Sequence, residues 1–113
     1  MKRFHLAIST HDLDASVTEY SQRLGCTPEI IVRNEYALWR SDALNLSVRV
    51  DHTSSPGTLR HLGWEDPEAA AFRQDTDTNG ILWEVFNAAQ QASEIQQQWP
   101  EAEDYLANDI RDE

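Results

Sequence analysis

Residues 59–65, LRHLGWE, set a histidine inside an extended apolar run, and the reading of that run decides the fold. A strand has little use for an imidazole unless the ring is hydrogen-bonded or binds something. The same pattern stands near the start of the chain. FHLAI at 4–8 and RHLGW at 60–64 share histidine, leucine, a small residue and an apolar residue, with His5 and His61 56 positions apart. An internal repeat constrains the architecture before any single element does, because each copy is one supersecondary unit.

Working outward from the first copy, FHLAIST (4–10) alternates in period two, with Phe4, Leu6 and Ile8 on one face and His5 and Ala7 on the other. That is a strand. In the next stretch Leu13, Val17, Tyr20 and Leu24 form one stripe of an amphipathic helix, with Asp12 as its N-cap and Gly25 as its stop. IIVRN, EYALWRS and LNLSVRV read as three further strands. In the last of these Leu44, Leu46, Val48 and Val50 face a core, while Asn45, Ser47 and Arg49 face water or a cavity. Residues 1–52 are therefore a β-α-β-β-β unit, and DHTSSPGT is a connection.

The second copy, residues 57–88, is shorter. LRHLGWE is a strand, and AAFRQDTDTNGILWEVF is a hairpin turning through Asn79-Gly80. Each unit closes on a strand with a polar residue at a comparable place, Asn45 in LNLSV and Glu84 in WEVF. Asn45 lies 40 residues after His5, but Glu84 only 23 after His61. The missing 17 residues are about the length of a helix and its connection. The expected class is α+β: paired βαβββ modules forming a cup-shaped mixed sheet, the second module lacking its helix. Residues 91–113 read as an acidic helical tail, capped by Ser93, kinked by Pro100, and apolar along Ile95, Trp99, Leu106 and Ile110. That helix is expected to cover the sheet face left bare.

Two units side by side about a pseudo-twofold bring His5, His61 and Glu84 toward one surface, with Ala7 and Gly63 leaving room beside the imidazoles. Two histidines and a carboxylate from three strands make the facial triad that suits non-haem Fe(II); Mn, Ni or Zn fit the same donors. Asn45 is a weak oxygen ligand or a donor behind the ligands. Asn45, Ser47 and Arg49 line the cup, together with Tyr36 or Trp39, which strand parity does not let face inward together. His11, before a helix, and His52, in the connection, read as solvated.

At FHLAISTHDLDASVTEYSQRLG, LNLSV, PGTLRHLGWE and FRQDTDTNGILWEVF the chain resembles the vicinal oxygen chelate superfamily, the glyoxalase, bleomycin-resistance and extradiol-dioxygenase group. The resemblance spans roughly residues 4 to 87. It implies a divalent-metal-dependent enzyme of dioxygenase or lyase type acting on a small oxygenated molecule, with His5, His61 and Glu84 as metal ligands and Asn45 at the usual fourth position. Glyoxalase I-like members carry Glu or Gln at that fourth position, whereas the extradiol pattern needs only two His and one Glu. EYALWRSDALNLSV is also similar to the cadmium-induced and organoarsenical lyase branch, whose cysteine pair a chain with one cysteine lacks. The alternative within the group is a metal-free protein that binds and sequesters a small molecule.

The totals narrow the partners. A length of 113 residues fits one domain with 40% hydrophobic residues, and no apolar run is long enough to span a bilayer. The net charge is −11, of which −6 falls between Gln90 and the end, and no basic stripe offsets it. Nucleic acid and membranes are therefore not expected partners. A tail that binds another protein is a third functional class. Cys26 alone makes no internal disulfide, so a cytoplasmic setting is expected. The short second unit and the aromatic mass of Trp64, Trp83 and Trp99 lead to an expected homodimer.

Overall fold

The structure, a computed structural model, describes residues 1–111, with side chains described through Asp109. The chain runs β1 (Arg3–Thr10), α1 (Leu13–Leu24), β2 (Ile30–Val32), β3 (Tyr36–Arg40), β4 (Leu44–Val50), β5 (Leu59–Glu65), β6 (Arg73–Thr76), β7 (Leu82–Phe86), α2 (Ala88–Gln98), a 3₁₀ turn (Pro100–Ala102) and α3 (Asn108–Arg111). It is an α+β protein built on one seven-stranded mixed sheet in the order β2-β3-β4-β1-β5-β7-β6. Helix α1 forms where the apolar stripe predicts. Asp12 accepts from the Ala15 amide at its start, and Gly25 closes it with a left-handed φ of 72°.

The strand pairing carries the repeat. β1 and β5 run antiparallel at the centre of the sheet, with Leu6 opposite Leu62, His5 opposite Gly63 and Ala7 opposite His61. A local dyad through the Leu6–Leu62 pair thus exchanges His5 with His61 and Ala7 with Gly63. On either side the pattern continues alike: β1 is parallel to β4, which is antiparallel to β3, and β5 is parallel to β7, which is antiparallel to β6. The register corrects one correspondence. Ala7 pairs with Ser47, and its dyad mate Gly63 pairs with Glu84. The counterpart of Glu84 is therefore Ser47, whereas Asn45, opposite His5, corresponds to Leu82. Sequence spacing cannot show this, because the register of a parallel pair is fixed across a long crossover.

Two cores flank the sheet. On one face α1 packs Leu13 against Ala37, Trp39 and Val48, with Ile8, Val17, Tyr20 and Leu46 around them. On the other, Ala92 and Ile95 of α2, followed by Trp99, Ala102 and Tyr105, cover Val32, Tyr36 and Leu38. Helix α2 begins five residues before the expected cap. Asn87 caps it, and Gln90 returns a bond to the Asn87 amide, a reciprocal capping box that leaves Ser93 in the helix interior. The helix ends before Pro100, and the chain then folds back. Ile95 and Trp99 of the expected apolar side are buried, Leu106 is exposed, and the Ile110 side chain lies outside the described residues.

The C-terminal segment does not cover the face that the missing helix leaves bare. It lies over the β2-β3-β4 half of the sheet, on the face that carries His5. Trp99 is accordingly core, and Trp64 is the tryptophan left most open, at 37% exposure. At the β6–β7 turn only Gly80 has positive φ, 79°. Asp77 organises the turn by accepting from the Asn79 and Ile81 amides. No helix among the described residues is long and apolar enough to cross a membrane.

Candidate metal centre

Strand parity puts His5, Ala7 and Ser9 of β1, His61 and Gly63 of β5, Asn45, Ser47 and Arg49 of β4, and Glu84 and Phe86 of β7 on one face of the sheet. Between this face and α2 lies a cavity of about 410 Å³, lined by His5, Tyr36, Ser47, Arg49, Arg60, His61, Glu84, Phe86 and residues of α2. Trp39 does not reach it. That side chain sits on the opposite face, against α1, with its ring 6.0 Å from Tyr20. Of the two aromatics that parity set against each other, Tyr36 faces the cavity.

The donors of His5, His61 and Glu84 lie within 4.8 Å of one another. His61 Nε2 is 2.9 Å from His5 Nε2 and 3.1 Å from a Glu84 carboxylate oxygen. For donors about 2.1 Å from an ion, adjacent positions of an octahedron are about 3.0 Å apart and those of a tetrahedron about 3.4 Å. Both short separations match the octahedral edge. The set is chemically suited to a first-row divalent ion, with two imidazole nitrogens and one carboxylate.

The protonation of His5 also suits ligation. The ring is buried, and burial first, then the neighbouring His61, pushes its pKa down to about 4. At neutral pH it is uncharged, with one N–H. Its Nδ1 lies 2.9 Å from Asn45 Oδ1 and 3.1 Å from the Asn45 carbonyl oxygen, so the proton sits on Nδ1 and the Nε2 lone pair faces His61. Asn45 is thus an acceptor behind His5. It does not line the cavity, and the fourth place facing the cavity belongs to Ser47, a weaker and shorter donor than a carboxylate.

Asn45 is itself held. Its amide nitrogen donates to Glu65 and to Gln91 of α2, at 2.9 and 2.8 Å. Glu65 is fully buried, and Arg40 grips it through two nitrogens at 2.7 and 2.9 Å, while Arg3 adds a third contact at 2.7 Å. Burial works against the Glu65 charge, but the bonds from Arg40 and Asn45 outweigh it and hold the carboxyl below its usual range. Arg40 also reaches Glu29 and Asp109, and Tyr105 bonds to Glu29, so the acidic C-terminal segment is tied to the same network. Sequence reasoning found Asn45 but missed Glu65, Arg40 and Gln91, whose roles depend on contacts between distant segments.

Gly63 has a different task from the one expected. A Cβ there would stand 2.0 Å from the Glu84 carbonyl oxygen. The glycine admits the β7 backbone, which carries Glu84 to the two histidines, rather than leaving space for an imidazole. His11 and His52 are exposed, with rings 5.2 Å apart and away from the centre.

Neither the protein-family models nor the curated proteins contain a match to this chain.

Proposed function

We propose that this protein is a divalent-metal-dependent enzyme of the vicinal oxygen chelate kind, of dioxygenase or lyase type, acting on a small oxygenated molecule. The observation that carries the reading is the convergence of His5, His61 and Glu84, from β1, β5 and β7, at the wall of a cavity large enough for such a molecule. Fe(II) is the favoured ion; Mn, Ni and Zn suit the same donors. When bound, the ion supplies Lewis-acid polarisation of substrate oxygens, and redox capacity if it is iron. The residues around it orient and enclose the substrate. Phe86, Ile95 and Trp99 give apolar walls, and Tyr36 beside Ser47 gives hydroxyls for positioning. Burial pushes the Tyr36 phenol well above its usual range, so it acts as a neutral hydrogen-bonding group at neutral pH. A reducing cytoplasm fits both the single thiol and an oxidisable Fe(II), and a homodimer is the proposed assembly.

The test is metal analysis of protein purified anaerobically without an affinity tag, followed by reloading with Fe(II), Mn(II), Ni(II) or Zn(II). Near-stoichiometric metal is expected, together with stabilisation of about 2.7 kcal/mol when free ion reaches a hundred times its dissociation constant. His61→Ala or Glu84→Gln should remove both. Sub-stoichiometric metal with no gain from any of the four ions would favour the metal-free binding protein instead.

A further inference from the structure

One part of the cavity is not used by the metal-binding reading. Arg49 and Arg60 both line it, in a chain whose net charge is −11. Arg3, Arg40, Arg49 and Arg60 are the arginines that are at least half-buried among the described residues. Arg3 and Arg40 are saturated by carboxylates. Arg49 and Arg60 have no carboxylate partner within ion-pair distance among the described residues. Arg49 instead lies over the Trp99 ring, 5.3 Å from its centre.

The position of Arg60 is a feature of the fold. In a regular strand it would point away from the face that His61 occupies. Ala7 pairs with His61 and the next residue, Ile8, pairs with Leu59, so Arg60 is an extra residue in β5, a bulge. A bulge re-aims a side chain, and here two consecutive residues, Arg60 and His61, open onto one cavity. Two unpaired cations half out of water are costly unless an anion arrives. The nearby carboxylates act on Arg60 only from a distance and make no ion pair with it: Glu84 is engaged by His61, Asp51 is held by Thr53 and Ser54, and Glu94 stands on the α2 wall.

We propose that Arg49 and Arg60 form an anion-binding subsite and that the molecule acted on here carries a carboxylate, docked on the two guanidiniums while its other oxygens face His5, His61 and Glu84. The first half of this proposal stands without a metal; the second rests on the metal-dependent reading above. Guanidinium pairs bind planar carboxylates through several charge-assisted hydrogen bonds, and the Trp99 and Phe86 rings suit an apolar or aromatic body between the two ends.

The probes are benzoate and its neutral isostere benzamide, titrated into the full-length protein by calorimetry, once after chelator treatment and once after reloading with metal. Benzoate should bind at least about tenfold more tightly than benzamide in chelator-treated protein. Arg60→Gln and Arg49→Gln should each lose most of that preference with little change in benzamide affinity, and Arg60→Lys should keep part of it. Thermal melts of each variant separate loss of the subsite from loss of the fold. Equal affinity for the two probes, or a preference that persists in the folded Arg49→Gln/Arg60→Gln double variant, would overturn the proposal. Benzoate binding that appears only with metal and survives the double variant overturns it too, because the anion then goes to the ion. A preference for benzoate in protein that never takes up metal keeps the subsite and removes the metal reading alone.

Discussion

His5 shows how much one buried side chain fixes. Its neutral state, its tautomer and its direction follow from burial, from His61 and from the two acceptor oxygens of Asn45. The same burial makes it a source of pH dependence in the metal-free protein. Its pKa in the folded state is about 4 against an ordinary value of 6.5, so between those pH values the unfolded chain binds a proton that the folded chain excludes. Its contribution is complete above about pH 6.5 and disappears as the pH falls through about 4, an effect of up to roughly 3 kcal/mol. Urea unfolding at pH 7, 5.5 and 4 should show wild type losing that much more stability than His5→Gln, which has no group to titrate there. Parallel losses in the two proteins would show that His5 titrates alike folded and unfolded. At this scale the sequence was informative where period two held, as it did for His5, His61, Ser47 and Arg49. It was silent where pairing broke the period. Arg60 faces the cavity only because β5 bulges against β1, and Asn45 sits behind His5 rather than across from Glu84 because of a register no local pattern encodes.

Among the elements, β5 and β7 make the contact that completes the centre, and Gly63 sets how closely they approach. An added methyl would meet backbone atoms of Glu84 at 2.0, 2.9 and 3.0 Å, and backbone cannot turn aside as a flexible side chain can. Gly63→Ala should therefore cost several kcal/mol, on the order of 3. It should also reduce metal uptake in whatever folded protein remains, by displacing Glu84 from His61. Ala7, at the equivalent dyad position opposite Ser47, already carries a methyl, so Ala7→Gly should leave metal uptake nearly unchanged. A folded Gly63→Ala protein with wild-type melting and full metal content would refute the packing argument. The order of the elements was legible in the sequence because each carried its own periodicity or cap. The place of α2 was not. Its start was written in Asn87 and Gln90, but a second capping residue at Ser93 competes with that signal. Which sheet face it covers is decided by Tyr36, Leu38 and Val32 from the other module.

In the whole molecule, the two modules are unequally covered. The far face of the first is packed by α1, but the second has no helix, so Phe4, Leu6, Leu62, Trp64, Trp83 and Val85 share a face with nothing comparable over them among the described residues. Phe4 packs edge-on against Trp64 at 5.2 Å and near Trp83 at 6.2 Å, so this is a formed apolar surface rather than scattered side chains. An isologous dimer would place each copy's patch against the other's, which is the basis of the proposed assembly. Opposing it are two monomers of charge −11, whose repulsion is screened over about 10 Å at 0.1 M salt. The dimer should consequently tighten as salt rises, the opposite of an assembly held by ion pairs. Sedimentation equilibrium at 20 and 300 mM NaCl should show a larger dimer fraction at the higher salt. Trp64→Glu, at a position already 37% exposed, should give a folded monomer at both. A wild-type monomer at about 100 μM in either salt, or a Trp64→Glu dimer, would mean that this face stays open to water or is covered by something other than a second copy of the chain.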